Sequence, residues 1–165
     1  MAIFGSKWFI FIFIVVLFFI ILLMIGTKSV STQVQIKASP KNVWAALSNT
    51  DNVKQWNKVL IPIKGELKEG NVINYDFYQE ENGKPSNMNA TVKEIVDQKM
   101  INQQGGLPLI LTFNHKYIIE STSFSTTVKI HEEYKGIMVP FWDPSPVEKA
   151  YSRLLHQLKS FIENE

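Results

Sequence analysis

The sequence predicts an α+β domain: a curved antiparallel sheet of about six to seven strands wrapped around a long C-terminal helix, behind a separate apolar N-terminal helix. Three observations lead there. Residues Trp8 to Ile25 carry no charge and, Trp8 and Met24 apart, are all Phe, Ile, Leu or Val. From Ile61 to Tyr134 apolar and polar residues alternate in short runs broken by turn residues, the period-two pattern of half-buried strands. From Val147 to Ile162 apolar residues recur at helical spacing, the stripe of a helix lying on a core.

The first element stays uncharged from Trp8 to Thr27, between Lys7 and Lys28. Twenty helical residues at ~1.5 Å each cover ~30 Å, the thickness of a bilayer's hydrocarbon core. Transfer of such a run into lipid gains at most about 5 to 10 kcal/mol. A secretory signal peptide also starts positive, but its apolar core is only ~7–15 residues long and ends at a small-x-small cleavage site. Ser29-Val30-Ser31 matches that site poorly. A buried core helix of this length is rarely apolar on every face. The expectation is an uncleaved transmembrane anchor in residues 1–28 and one domain in residues 29–165. Gly26 to Ser31 reads as a linker reaching at most ~20 Å. The flanking lysines nearly balance, and the short positive tail tips the domain toward the extracytoplasmic side.

Bulk composition narrows the function. The part after the anchor is long enough for one core and too apolar for a disordered chain. The formal net charge of +2 equals the contribution of Lys7 and Lys28, which leaves the domain near neutral. With Arg153 as its single arginine, it lacks the basic footprint of a nucleic-acid binder. The chain has no cysteine, hence no disulfide, thiol nucleophile or thiolate metal site. His115, His131 and His156 show no metal-ligand spacing, and His131 reads as exposed. HExxH, a nucleophile elbow, a phosphate loop and a dinucleotide fingerprint are all missing. No metal and no cofactor are expected.

Element by element, Val30 to Lys37 alternates as a strand. Ser39-Pro40 supplies an N-cap and a first-turn proline for a helix from Pro40 to Leu47, and Asp51 can cap a second short helix containing Val53 and Trp56. Strands follow at Ile61–Leu67, Val72–Gln79, Asn87–Val96, Lys99–Gln104, Leu111–Ser121 and Phe124–Tyr134. Glu69-Gly70, Asn82-Gly83, Asp97-Gln98 and Ser121-Thr122-Ser123 make the turns, Asn-Gly being a strong hairpin signal. Ser145-Pro146-Val147-Glu148 has the spelling of a capping box. The helix after it carries Val147, Ala150, Tyr151, Leu154, Leu155, Leu158, Phe161 and Ile162 on one stripe, and a curved sheet is the available partner. Two loops are unusually apolar, Gly105 to Ile110 and Gly136 to Trp142. They read as packed under the helix, as a gate, or as a patch at a lipid interface. Asn89-Ala90-Thr91 spells a glycosylation sequon but falls inside a strand.

The stretches IKASPKNVWAALSNTDNVKQWN (Ile36 to Asn57), KGELKEGNVI (Lys64 to Ile73), HKYIIE (His115 to Glu120) and VKIHEEYKG (Val128 to Gly136), with the closing amphipathic helix, resemble the START-like superfamily with the helix-grip fold. That superfamily includes the birch-pollen allergen group and the polyketide cyclase/dehydrase and lipid-transport group. The resemblance covers nearly all of residues 30–165. It implies a domain that binds apolar or amphipathic molecules in the space between sheet and helix; a minority of members are enzymes. The N-terminal anchor departs from the common pattern.

Alternation places Tyr75 and Phe77 on one strand face, His115 with Tyr117 on another, and Glu132 with Tyr134 on a third. If these are the concave faces, Tyr75, His115, Tyr117, Glu132 and Tyr134 form a sparse polar set beside Phe77 in an apolar cavity, the composition of a small-molecule site. The expected partners are a hydrophobic small molecule or lipid, and a membrane through Trp8–Ile25. Two alternatives stay open. Glu132 and His115 could serve as acid and base, with a tyrosine, in a cyclase- or hydratase-type enzyme. Equally, the five polar residues could hydrogen-bond one another in a solid core that serves protein contacts.

Overall fold

The structure is a computed structural model that describes residues 7–122 and 124–164. The tail before Lys7, and Ser123 of the last hairpin turn, lie outside the described residues. Helix α1 (Lys7–Ile25) is followed by β1 (Thr27–Ile36), α2 (Pro40–Ser48), α3 (Thr50–Trp56), β2 (Leu60–Lys64), β3 (Val72–Phe77), β4 (Ser86–Val96), β5 (Met100–Leu107), β6 (Leu111–Ser121), β7 (Thr126–Lys135), a 3-10 turn at Val139–Phe141, and α4 (Ser145–Glu163). The seven strands form one antiparallel sheet in the order β1-β7-β6-β5-β4-β3-β2.

Helix α1 is long and apolar enough to cross a membrane, and Leu22 is its one buried residue. The linker expected between helix and domain is absent. β1 begins at Thr27, and its polar first residues pair with β7 as Thr27–Lys135, Lys28–Tyr134 and Ser29–Glu133. Gly26 alone forms the joint. Its carbonyl accepts from the Gly136 amide at 2.9 Å, and a side chain there would meet the Gly136 carbonyl oxygen at 2.2 Å. Only glycine permits that approach.

Sheet and helix meet through complementary periods. β6 and β7 each bury every second residue, and α4 buries Val147, Ala150, Tyr151, Leu154, Leu155 and Leu158. The α4 stripe lies over the concave face, and charged residues beside the stripe clasp the free edge of β1. Glu148 accepts from the Ser31 amide (3.4 Å) and Glu163 from the Lys37 amide (2.8 Å), while Lys159 donates to the Gln35 carbonyl (2.8 Å).

Several local details correct the sequence reading. The Ser145–Glu148 capping box does not form, because Ser145 is already inside the helix. Asp143 caps instead, its Oδ1 accepting from the Ser145 amide and hydroxyl at 3.0 and 2.7 Å. Helix α3 is capped by Asn49, which accepts from the Asp51 and Asn52 amides, rather than by Asp51. Trp56 Nε1 donates to the Ala46 carbonyl at 3.3 Å, clipping α3 to α2. β2 stops at Lys64 because Gly65 turns into the left-handed region at φ 105°. β5 continues to Leu107, and Leu107–Ile110 is a tight turn closed by the Ile110 amide donating to the Leu107 carbonyl at 3.1 Å. Pro108 takes the second position of that turn. Leu109, at φ 66°, takes the third, which in this turn type ordinarily holds Gly or Asn. A left-handed non-glycine residue costs about 1–2 kcal/mol.

Candidate functional site

The six side chains singled out by alternation are all buried on the concave face: Tyr75 and Phe77 from β3, His115 and Tyr117 from β6, Glu132 and Tyr134 from β7. His115 and Glu132 are direct cross-strand partners. That register brings His115 Nδ1 to 2.5 Å from Glu132 Oε2. Tyr151 reaches down from α4 and donates its hydroxyl to the same oxygen at 2.7 Å. One carboxylate therefore ties the sheet to the helix that crosses it. The His115 ring stands edge-on to Tyr117 (4.8 Å between centroids) and Tyr151 (5.0 Å), and Tyr134 packs against Trp142 at 4.6 Å. Further along, Gln103 Nε2 donates to the Tyr75 hydroxyl at 2.8 Å.

Burial decides the protonation of the phenols. It pushes Tyr75 up to about 12 and holds Tyr117 and Tyr151 well above the usual tyrosine range, with the Glu132 charge adding to the effect. Tyr134 is raised for the same two reasons. All four keep their protons at neutral pH, and Tyr151 uses its proton to donate to Glu132. One buried polar atom of this cluster, His115 Nε2, makes no hydrogen bond among the described residues; it points away from Glu132, which holds the other ring nitrogen.

The open space expected between sheet and helix is filled. Two voids remain. One, of about 30 Å³, lies under α3 and is lined by Leu47, Val53, Trp56, Leu60, Tyr75 and Tyr117, among others. The other, of about 10 Å³, touches Phe113, His115, Glu132 and Tyr151. These hold a water or two at most. Leu60, Tyr75 and Gln103 line both voids, so these side chains form the partition between them. Hollows of about 430–470 Å³ lie elsewhere, as open grooves that do not reach this cluster.

Sequence reading missed Tyr151 and Gln103. Tyr151 reads as one more member of an apolar stripe, although a phenol in such a stripe needs a partner for its hydroxyl. Gln103 sits in the polar run Asn102-Gln103-Gln104, where alternation gives no contrast. His131 is half-buried rather than exposed, on the outer face beside Glu133 (3.5 Å). His156 bonds its own helix at the Ser152 carbonyl. Among the described residues no group of three or more His, Cys, Asp or Glu is placed to hold a metal ion.

A seven-stranded antiparallel sheet gripping a C-terminal helix, with two short helices after its first strand, defines the helix-grip class of the START-like superfamily. A family model narrows this: residues 37–162 match that of the activator of Hsp90 ATPase homolog 1-like proteins, AHSA1. The chain belongs to that family. Among curated proteins, no relative matches at the sequence level. Solved structures share the fold. Protein CV1439 from Chromobacterium violaceum has a TM-score of 0.68 at 14% identity, over 83% of this chain and 98% of that one. Protein SA2116 from Staphylococcus aureus, of unknown function, has a TM-score of 0.63 at 15% identity, over 85% and 97%. Norcoclaurine synthase from Thalictrum, a point mutant in complex with a transition-state analogue, has a TM-score of 0.58 at 15% identity, over 84% and 95%.

Proposed function

We propose that this chain is a membrane-anchored binding domain for a small apolar molecule or lipid bearing a hydrogen-bonding group. The observation that carries the reading is an unpartnered polar atom, His115 Nε2, buried in the core. It costs about 1–3 kcal/mol while it stays unpaired, a cost that a solid core would shed by using an apolar residue. A ligand's polar group would satisfy it. The voids are too small for a preformed site, so binding proceeds by displacement: Tyr75 swings off Gln103, the two voids join, and the α2–α3 unit lifts from Leu60. Burial of apolar ligand area then contributes roughly 25 cal/mol per Å². Helix α1 inserts as the anchor and keeps the domain within short reach of a lipid reservoir, which raises effective concentration. The domain lies on the extracytoplasmic side, a placement that protease protection in sealed vesicles tests.

One feature favours a second reading. Glu132 orients the His115 ring through Nδ1 and leaves Nε2 free, the arrangement of a positioned acid–base imidazole. A cyclase- or hydratase-type activity would use Nε2 on a bound apolar substrate. The Thalictrum enzyme of the same fold was solved with a transition-state analogue, so the fold is compatible with an active site in that protein.

Native mass spectrometry of the detergent-extracted full-length protein tests the reading. A co-purified adduct of lipid-like mass is expected. Tyr75→Ala, which removes part of the partition, should tighten binding of the dye 8-anilinonaphthalene-1-sulfonate to the folded protein. Repeated absence of any adduct, with no dye binding by either form, would defeat the proposal in favour of a solid interaction module. Loss of turnover in His115→Ala with ligand binding retained would select the enzymatic reading.

A further inference from the structure

We infer that the β5–β6 turn and the loop between β7 and α4 form one membrane-docking surface, seated in the interfacial layer of the bilayer that α1 enters. The inference rests on the proposed insertion of α1. Leu107, Leu109 and Ile110 on the turn are 67%, 67% and 42% exposed, and Met138 and Phe141 on the loop 49% and 69%. Backbone hydrogen bonds make these one patch: the Ile137 amide donates to the Leu109 carbonyl (2.9 Å) and the Met138 amide to the Ile110 carbonyl (3.1 Å).

The same loop is fastened to the exit of α1. Gly136 donates to Gly26 (2.9 Å), and Lys28 Nζ donates to the Trp142 carbonyl (2.5 Å). With a single residue between α1 and β1, the patch has no slack to move away from the helix end. Contiguous exposed apolar surface marks a contact, and the surface adjoining this one is the helix exposed along its apolar length. A lipid interface is therefore the occupant. Trp142, half-buried beside the patch, and Lys28 are residue types favoured at that level of a bilayer.

Leu109 supports this independently. It occupies a left-handed turn position at φ 66°, where glycine would fold more easily, yet it places a large apolar side chain outward. Folding gains nothing from that choice, and insertion into the headgroup boundary does. Phe124 is also exposed, at 92%, but it stands alone in the β6–β7 turn at the opposite end of the sheet.

The absence of cysteine makes a single nitroxide label unambiguous. Full-length Leu109→Cys, Val15→Cys and Glu120→Cys proteins, each labelled, are reconstituted in phosphatidylcholine–phosphatidylglycerol nanodiscs. Collision rates with oxygen and with a water-soluble nickel chelate are then measured by power saturation. The nickel rate at Leu109 should be at least about fivefold below that at Glu120, as expected for ~5–10 Å of interfacial burial, with Val15 lower still. Phe141→Cys repeats the measurement should the turn variant fail to fold. A Leu109 label as accessible to nickel as Glu120, with Val15 protected, overturns the inference and leaves the anchor standing. Nickel access at Val15 refutes the anchor and the inference together. Strong spin–spin broadening at Leu109 without oxygen preference assigns the patch to a second copy of the chain and also overturns it.

Discussion

Replacing Glu132 by alanine tests the central cluster most directly. The carboxylate is 3% exposed and serves two buried partners, His115 Nδ1 at 2.5 Å and the Tyr151 hydroxyl at 2.7 Å. Removing it strands both, at about 1–3 kcal/mol each. Truncation of the buried side chain adds a cavity beside the small void already there, so a total loss of about 3–6 kcal/mol is expected. That is a large share of the ~5–15 kcal/mol that holds a typical domain together. Glu132→Gln gives the contrast. Its amide oxygen can accept from both partners in place of Oε2, and the loss should stay under about 2 kcal/mol. Urea denaturation in a fixed detergent, followed by near-ultraviolet circular dichroism, separates the two, since that signal reports the aromatic packing around His115. An alanine variant within about 1 kcal/mol of the parent, or a glutamine variant as damaged as the alanine one, would refute the claim that this carboxylate ties sheet to helix.

The four buried tyrosines predict alkaline sensitivity. Their folded-state pKa values lie above the unfolded value of 10.0, so the stability is intact below pH 10 and declines above it, at about 1.4 kcal/mol per pH unit for each group. Tyrosinate absorbance should therefore rise together with loss of the circular dichroism signal; ionisation of all four in a folded chain would contradict this. Leu109→Gly should relieve the left-handed turn and raise stability by about 1 kcal/mol, read by urea denaturation, while weakening the membrane footprint. Gly26→Ala should break the Gly136–Gly26 hydrogen bond, because its Cβ would sit 2.2 Å from the Gly136 oxygen; hydrogen exchange at the Gly136 amide would accelerate, and unchanged protection there would count against the tight joint.

Much of the fold was legible because it is written in periods. β6 was readable to the residue, since Leu111 to Ser121 alternates with one break, at Ile118, and α4 showed a full apolar stripe. Legibility failed where pairing, rather than pattern, makes the element. Thr27, Lys28 and Ser29 have the polarity of a linker and become strand only through β7 opposite them. The cap of α4 was misread because Ser145 has the right spelling one step too late, with Asp143 already positioned. For the candidate site, alternation placed all six side chains on the concave face but could not show that His115 and Glu132 share a register. Nor could it show Tyr151 arriving from another element. Whether the interior is hollow depends on how Tyr75, Tyr117 and Tyr151 interlock across it, and no periodicity encodes that.

The clasp along β1 has a consequence for crowding. Under the proposed anchoring, copies of the chain share a two-dimensional sheet of lipid, where encounters between neighbours are frequent and aligned. An unguarded strand flank would then template intermolecular β-pairing. Glu148, Lys159 and Glu163 cover the Ser31 amide, the Gln35 carbonyl and the Lys37 amide along that flank. At the other flank β2 is only five residues long and carries Pro62 and Lys64. Both borders are thereby blunted against edge-to-edge pairing with a neighbouring copy.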